Sequence, residues 1–222
     1  MRTDTTPKQP YEGPVAFRIY PKVTSFFAEV PNGKLVDVGA GLGNLANRIY
    51  SMGGFDVYAC DARMPPEHNR VDLKVVLPHS HLKWSKLDLD KDALPYASNF
   101  FEYAICIDVI EHLENPRRVL SEIGRVLKPG GMAIIATPYL GSLPQRIYYF
   151  FTGRFLHFPE FPPLYAHITP LTMTTMRDAF KKAGLVIEKI SFDRGWLPFL
   201  RLTLPANSLW GDSILLKVRK QK

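Results

Sequence analysis

Apolar positions along the chain fall into two alternating patterns. Short runs rich in Val, Ile, Leu and aromatic residues, bounded by glycine or charge, predict strands near 34–39, 55–60, 82–87, 102–107, 132–137, 185–192 and 212–218. Between them, apolar residues spaced three and four apart predict helices over 15–29, 43–52, 116–127 and 172–183. Punctuation supports these limits. Asn115 is placed to cap a helix that starts at Pro116, Lys128-Pro-Gly-Gly131 reads as the turn that ends it, and Gly184 stands where the 172–183 helix stops. Pro21 falls inside the first helix, so a kink or a split is expected there. Strand and helix alternating in this way imply βα units, hence an α/β, doubly wound, mainly parallel sheet.

Two stretches depart from the pattern. Residues 1–14, rich in Thr and Pro, read as a flexible arm. Residues 147–165 are dense in aromatics and proline without helical or strand period, and segment 138–170 as a whole is expected to be an inserted lid over a binding site. The plainer reading of those aromatics is core closure beneath a long loop. Residues 15–222 then form one domain, for which 222 residues with 46% hydrophobic content are enough chain. No apolar run approaches a membrane span, and Met1–Pro14 lacks a signal-peptide core, so a cytoplasmic location is expected. Cys60 and Cys106 fall within central strands, where a thiol acts as a small buried hydrophobe rather than a disulfide or metal ligand.

Chemistry concentrates first at Val36-Asp-Val-Gly-Ala-Gly-Leu-Gly-Asn44, where Gly39, Gly41 and Gly43 alternate just after a strand. Residues without a Cβ let a backbone turn tightly and approach a ligand, and the helix that follows offers free N–H groups. A dinucleotide fingerprint needs its third glycine one place later, where this chain has Asn44; an NAD-dependent oxidoreductase is therefore disfavoured. Asp61 ends the next strand, at about the 20-residue distance where a carboxylate accepts from ribose hydroxyls.

Further segments follow in order: Leu87-Asp-Leu-Asp90, Leu94-Pro95, Phe101 through Leu113 with Asp108, Glu111 and His112, Asn115-Pro116, and Arg125-Val-Leu-Lys-Pro-Gly-Gly131. In this ordered set the chain resembles the class I S-adenosylmethionine-dependent methyltransferases, in the branch of ubiquinone-type, small-metabolite and glycan enzymes. The resemblance runs from about Lys34 to Pro138 and more loosely beyond. It implies a seven-stranded Rossmann-like sheet with an antiparallel C-terminal strand, and S-adenosylmethionine as cofactor. By the same resemblance Gly39, Gly41 and Gly43 approach the methionine part of the cofactor, and Asp37 holds its ammonium group. Asp61 takes the ribose, Asp88 with the backbone of Leu89 takes the adenine (Asp90 in reserve), and Ile107 to Val109, including Asp108, border the sulfonium.

The expected reaction is methyl transfer to an oxygen of a small metabolite, a quinone-like ring or a glycan; a cofactor-binding but catalytically silent subunit is the rival. Because the sulfonium is already a strong electrophile, alignment matters most and a base is optional. His112 and His167 are the candidate bases. The resemblance also suggests a divalent metal on Asp108, Glu111, His112 and His167, with the short Asp108 standing where related enzymes carry Glu. Net charge of +7 is spread along the chain, and neither an Asn-Pro-Pro-Tyr nor a Pro-Cys sequence is present, so nucleic acid is disfavoured as a partner. Arg146, Arg154 and the rings near them leave peripheral membrane contact open.

Overall fold

A computed structural model describes residues 14–62, 81–158, 167–197 and 202–222. Seven strands form the main sheet: β1 (Gly33–Val38), β2 (Phe55–Asp61), β3 (Lys83–Lys86), β4 (Phe101–Ile107), β5 (Leu127–Pro138), β6 (Leu185–Phe192) and β7 (Ser213–Lys220). Their spatial order is β3-β2-β1-β4-β5-β7-β6. All pairs from β3 to β5 are parallel, and β7 runs antiparallel to both β5 and β6. The parallel strands are buried on both faces, and successive residues feed opposite cores: Val36, Cys106 and Ile135 on one side, Leu35, Ile105 and Ile134 on the other.

Helices α1 (Pro14–Phe27) and α2 (Asn44–Tyr50) cover one face; α3 (Pro116–Val126) and α5 (Met173–Lys182) cover the other. The α1 helix runs through Pro21 unsplit, because Ile19, Val23 and Phe27 are almost wholly buried and that packing outweighs one missing donor. Asn115 caps α3 as expected, its side chain accepting from the Arg118 N–H with Pro116 in the first turn. Three expectations need correction. The Lys128–Gly131 turn lies inside β5 as an irregularity: between the Phe101–Leu127 and Tyr103–Met132 pairs the register shifts, and Gly130 takes φ 79°. Pro14, assigned to the arm, opens α1, while residues 1–13 lie outside the described residues.

The aromatic stretch also differs, for Leu143–Thr152 is a helix, α4, ended by Gly153 at φ 68°. Its period was hidden because residues 146–152 are all exposed and the buried member among the side chains of α4 is the polar Gln145. Leu143 N–H is tied to Leu209 O, and Gln145 Oε1 accepts from Leu156 N–H. The second half of the expected lid, residues 159–166, lies outside the described residues. Both cysteines are free and buried. Among the described residues no helix is long and apolar enough to cross a membrane.

Candidate active site

Parallel strands present their carboxyl ends on one edge, and at the centre of that edge β1 and β4 diverge toward opposite faces, the usual place for a ligand crevice. The glycine loop sits there. Gly39, Gly41 and Gly43 all take positive φ (78°, 57° and 78°), a conformation that disfavours side chains. The loop is pinned at the end of β2: the N–H groups of Gly39 and Ala40 donate to Cys60 O, and Gly41 N–H donates to Asp61 Oδ2 at 2.9 Å. On one side the loop is packed hard, since a Cβ on Gly39 would lie 2.3 Å from Val109 Cγ2. On the other it is open, since a Cβ on Gly41 would meet nothing within 4 Å. Such a cradle, backbone exposed on one side and a carboxylate at its rim, fits the S-adenosylmethionine that the motifs imply.

Asp37 lies beneath this loop, 3% exposed. Burial first, and then the charge of Asp61, push its carboxyl up to about 8, against a smaller opposing effect of the Ala46 N–H. Asp88 stands in the loop after β3, bound to Lys91 Nζ at 2.8 Å and accepting from Asp90 N–H; these contacts hold its carboxyl below the usual range. Leu89 beside it is buried, and Asp90 accepts from Asn115 N–H, joining this loop to the start of α3.

At the end of β4, Asp108 has φ 52°, unusual for a residue with a side chain, and this turn sends Val109 onto Gly39. The one-turn helix Ile110–His112 follows. Glu111 is completely buried; Oε2 accepts from Thr137 Oγ1 at 3.0 Å, while Oε1 has no partner. Burial pushes the carboxyls of Asp108 and Glu111 upward, and for Glu111 the neighbouring charge of Asp108 adds to it. Backbone N–H groups of Ile168 and Thr169 donate to Glu111 O, which brings His167 to the same place. His167 Nε2 lies 4.0 Å from Glu111 Oε1, and its ring centre is 4.7 Å from that of His112. Burial, then the neighbouring imidazoles of His112 and His157, lower His167 to about 4, so it is neutral at physiological pH.

The four-residue metal set is thus assembled only in part. Ligand atoms of Glu111, His112 and His167 lie within 4.8 Å of one another, and Asp108 stands outside that group. A carboxylate with an unpartnered buried oxygen and a neutral imidazole form a donor set suited to a borderline divalent ion.

Sequence reasoning missed the other half of the mouth. His157 Nε2 is 2.7 Å from Asp212 Oδ1, and Arg18 reaches from α1 to Asp212 Oδ2 at 3.1 Å. Arg18 and Lys22 also form ion pairs with the buried Asp193. Tyr139 N–H donates to Asp212 O, placing this cluster at the same edge of the sheet as Asp108. His157 is 6.3 Å from His167 between ring centres, so imidazoles line the mouth from β7 to β4. The aromatic density around His157 was the available signal, but its acidic partner is 55 residues away and carries no motif.

A family model described as "Methyltransferase domain" matches residues 16–190. The chain belongs to that family. A ubiquinone biosynthesis O-methyltransferase of Rickettsia felis is 30% identical over 119 residues, which cover 54% of this chain and 47% of that protein. The chain spans about half the length of the curated relatives it matches. In fold, this methyltransferase domain is similar to the crystal structure of the [4+2]-cyclase SpnF (TM-score 0.63, 16% identity, 98% of this chain and 85% of that one). It is also similar to a Burkholderia thailandensis 1,6-didemethyltoxoflavin-N1-methyltransferase crystallised with its acceptor and S-adenosylhomocysteine (TM-score 0.61, 14% identity, 95% and 80% coverage). The methyltransferase domain therefore has the expected seven-stranded Rossmann-like architecture with its antiparallel strand.

Proposed function

We propose that the domain transfers a methyl group from S-adenosylmethionine to an oxygen of a small acceptor, a quinone-like ring before another metabolite or a glycan. The observation that carries this reading is the open side of the glycine loop at Gly41, whose N–H is held by Asp61, with the buried carboxyl of Asp37 at the end of the strand that leads into the loop. The O-methyltransferase name of the Rickettsia relative supports oxygen as the atom modified. When bound, the cofactor supplies the electrophilic methyl carbon. The chain's residues would then hold the donor (Asp37, Gly39, Gly41, Gly43, Asp61, with Asp88 and Leu89 at the adenine end) and receive the acceptor proton on an imidazole. Calorimetric titration with S-adenosylmethionine and S-adenosylhomocysteine tests the donor half: absence of binding overturns the reading. Mass spectrometry of a cell extract incubated with protein and cofactor tests the acceptor half, through a product heavier by one methyl group at a hydroxyl.

His112 and His167 remain candidate bases, and the structure adds His157. His157 is oriented by Asp212 through its Nε2, as a carboxylate orients a catalytic imidazole, and its other ring nitrogen would take the hydroxyl proton. His157→Gln is expected to lower kcat by about 10²-fold or more on a hydroxyl acceptor. Cofactor affinity should stay unchanged. Steady-state kinetics beside calorimetry check this, and an unaltered kcat removes His157 from the reaction.

The unpartnered oxygen of Glu111 favours a second reading of the same site, in which Glu111, His112 and His167 hold a divalent ion that lowers the pKa of a bound hydroxyl. Exhaustive chelation is then expected to abolish turnover and added Zn²⁺ or Mn²⁺ to restore it. Turnover indifferent to both excludes the ion.

A further inference from the structure

The exposed face of α4 is not used by anything described above. Phe150 and Phe151 are 81% and 78% exposed, and Ile147, Tyr149 and Leu156 about half exposed. Rings of this size in water are unfavourable, and a contiguous apolar patch marks a surface that meets something else. Charge says what. No Asp or Glu occurs between Glu122 and Glu160, while Arg146 and Arg154 bracket the aromatic run. Both arginines are exposed, Arg146 on α4 and Arg154 just past its end.

We propose that α4 seats the protein on an anionic bilayer surface, with Ile147, Phe150 and Phe151 entering the headgroup–acyl boundary and Arg146 and Arg154 meeting lipid phosphates. The helix is ten residues long, Leu143–Thr152. It is therefore too short to span and suited to lying in the interface. Bulky apolar side chains beside cations match the chemistry of an interfacial anchor. A protein partner with an acidic apolar groove would need the same face; the large exposure of Phe150 and Phe151 beside two arginines fits lipid chains and phosphates.

The location adds a use for this contact. Along α4 runs an open groove of about 520 Å³ lined by Leu140, Arg146, Tyr149, Phe150, Gly153 and Phe155. It opens beside the bilayer-facing rings, and Leu140 belongs to the segment that follows β5 at the carboxyl edge. An acceptor with an apolar tail would lie along this groove as it leaves the lipid. This last step rests on the small-acceptor reading above; membrane seating itself does not.

Vesicle co-sedimentation tests the seating. The full chain is mixed with vesicles of phosphatidylcholine alone or of phosphatidylcholine with phosphatidylglycerol, at low and high salt. Binding is expected on the anionic vesicles, weaker by about fivefold for each of Arg146→Gln and Arg154→Gln. Phe150→Ser with Phe151→Ser should reduce binding by at least tenfold on any composition. Because both rings are exposed, this double variant should keep the wild-type unfolding midpoint and cofactor affinity, which separates loss of docking from misfolding. Absence of wild-type binding to anionic vesicles overturns the proposal, as does equal binding by the double variant. A concentration-dependent dimer in sedimentation velocity that Phe150→Ser and Phe151→Ser dissolve, without vesicle binding, assigns the face to a second copy and also overturns it. Failure of methyl transfer to any hydroxyl acceptor, with vesicle binding intact, would count against the reaction alone.

Discussion

Gly39→Ala is expected to remove measurable cofactor binding and to lower the unfolding free energy by about 2–4 kcal/mol. Two costs combine at this position. The residue has φ 78°, where a side chain is strained, and its new Cβ would fall 2.3 Å from Val109 Cγ2. Val109 cannot withdraw cheaply, because it is buried in the core on the α3 side of the sheet and follows the left-handed Asp108. The loop must therefore move, and with it the hydrogen bonds from Gly39 and Ala40 to Cys60 O. Gly41→Ala is the control. It shares the positive φ but its Cβ meets nothing within 4 Å, so the cost to stability should be about 1 kcal/mol while binding still suffers, the methyl group occupying ligand space. Denaturant unfolding and calorimetry on both variants decide the matter. Equal destabilisation by the two would show that the contact with Val109 is not what limits position 39.

Asp37→Asn is expected to weaken S-adenosylmethionine by at least about thirtyfold, the loss that follows when one partner of a buried charge pair is removed. The apo protein should respond in the opposite direction. The Asp37 carboxyl titrates near 3.8 in an unfolded chain and at about 8 in the fold, so the native state binds the extra proton between these limits. Stability carried by this group is thus full below about pH 4, falls as pH rises toward 8, and is level above it. Asp37→Asn removes that slope, and near pH 8 the apo variant should be the more stable protein by up to several kcal/mol. Cofactor binding to the wild type below pH 8 should release a proton, since the ammonium group requires the carboxylate. Titrations in buffers of different ionisation enthalpy read that proton directly. Binding heats that do not depend on the buffer would exclude Asp37 as the ammonium partner.

The sheet was legible in the sequence because its parallel strands are buried largely on both faces and so read as short apolar runs interrupted only by single acids, Asp37, Asp56 and Glu102. Leu35–Val38, Phe55–Cys60 and Phe101–Ile107 are examples, each closed by a glycine or an acid at the ligand edge. The glycine loop and Asp61 were legible for a related reason: backbone that must turn left-handed restricts residue choice locally. The α4 helix was hidden because helical period is visible only when one face is polar, and here apolar side chains face outward. His157 and Asp212 were hidden by distance. Nothing local relates a histidine in an aromatic loop to an aspartate before an antiparallel strand; only the β5–β7 pairing, with Pro138 opposite Ser213, brings them to one edge.

The position of β7 between β5 and β6 governs when the protein can be complete during synthesis. The first five strands can assemble as their residues leave the ribosome, each against a neighbour already made or soon to follow. The outer edge of β5 and the inner edge of β6 then wait, for their shared partner is Ser213–Lys220. Until that segment arrives, two lengths of unpaired strand are available to any other chain with a free edge. The interval between translation of Phe192 and of Lys220 is accordingly when this polypeptide is most exposed to mispairing, and when a holdase would protect it best.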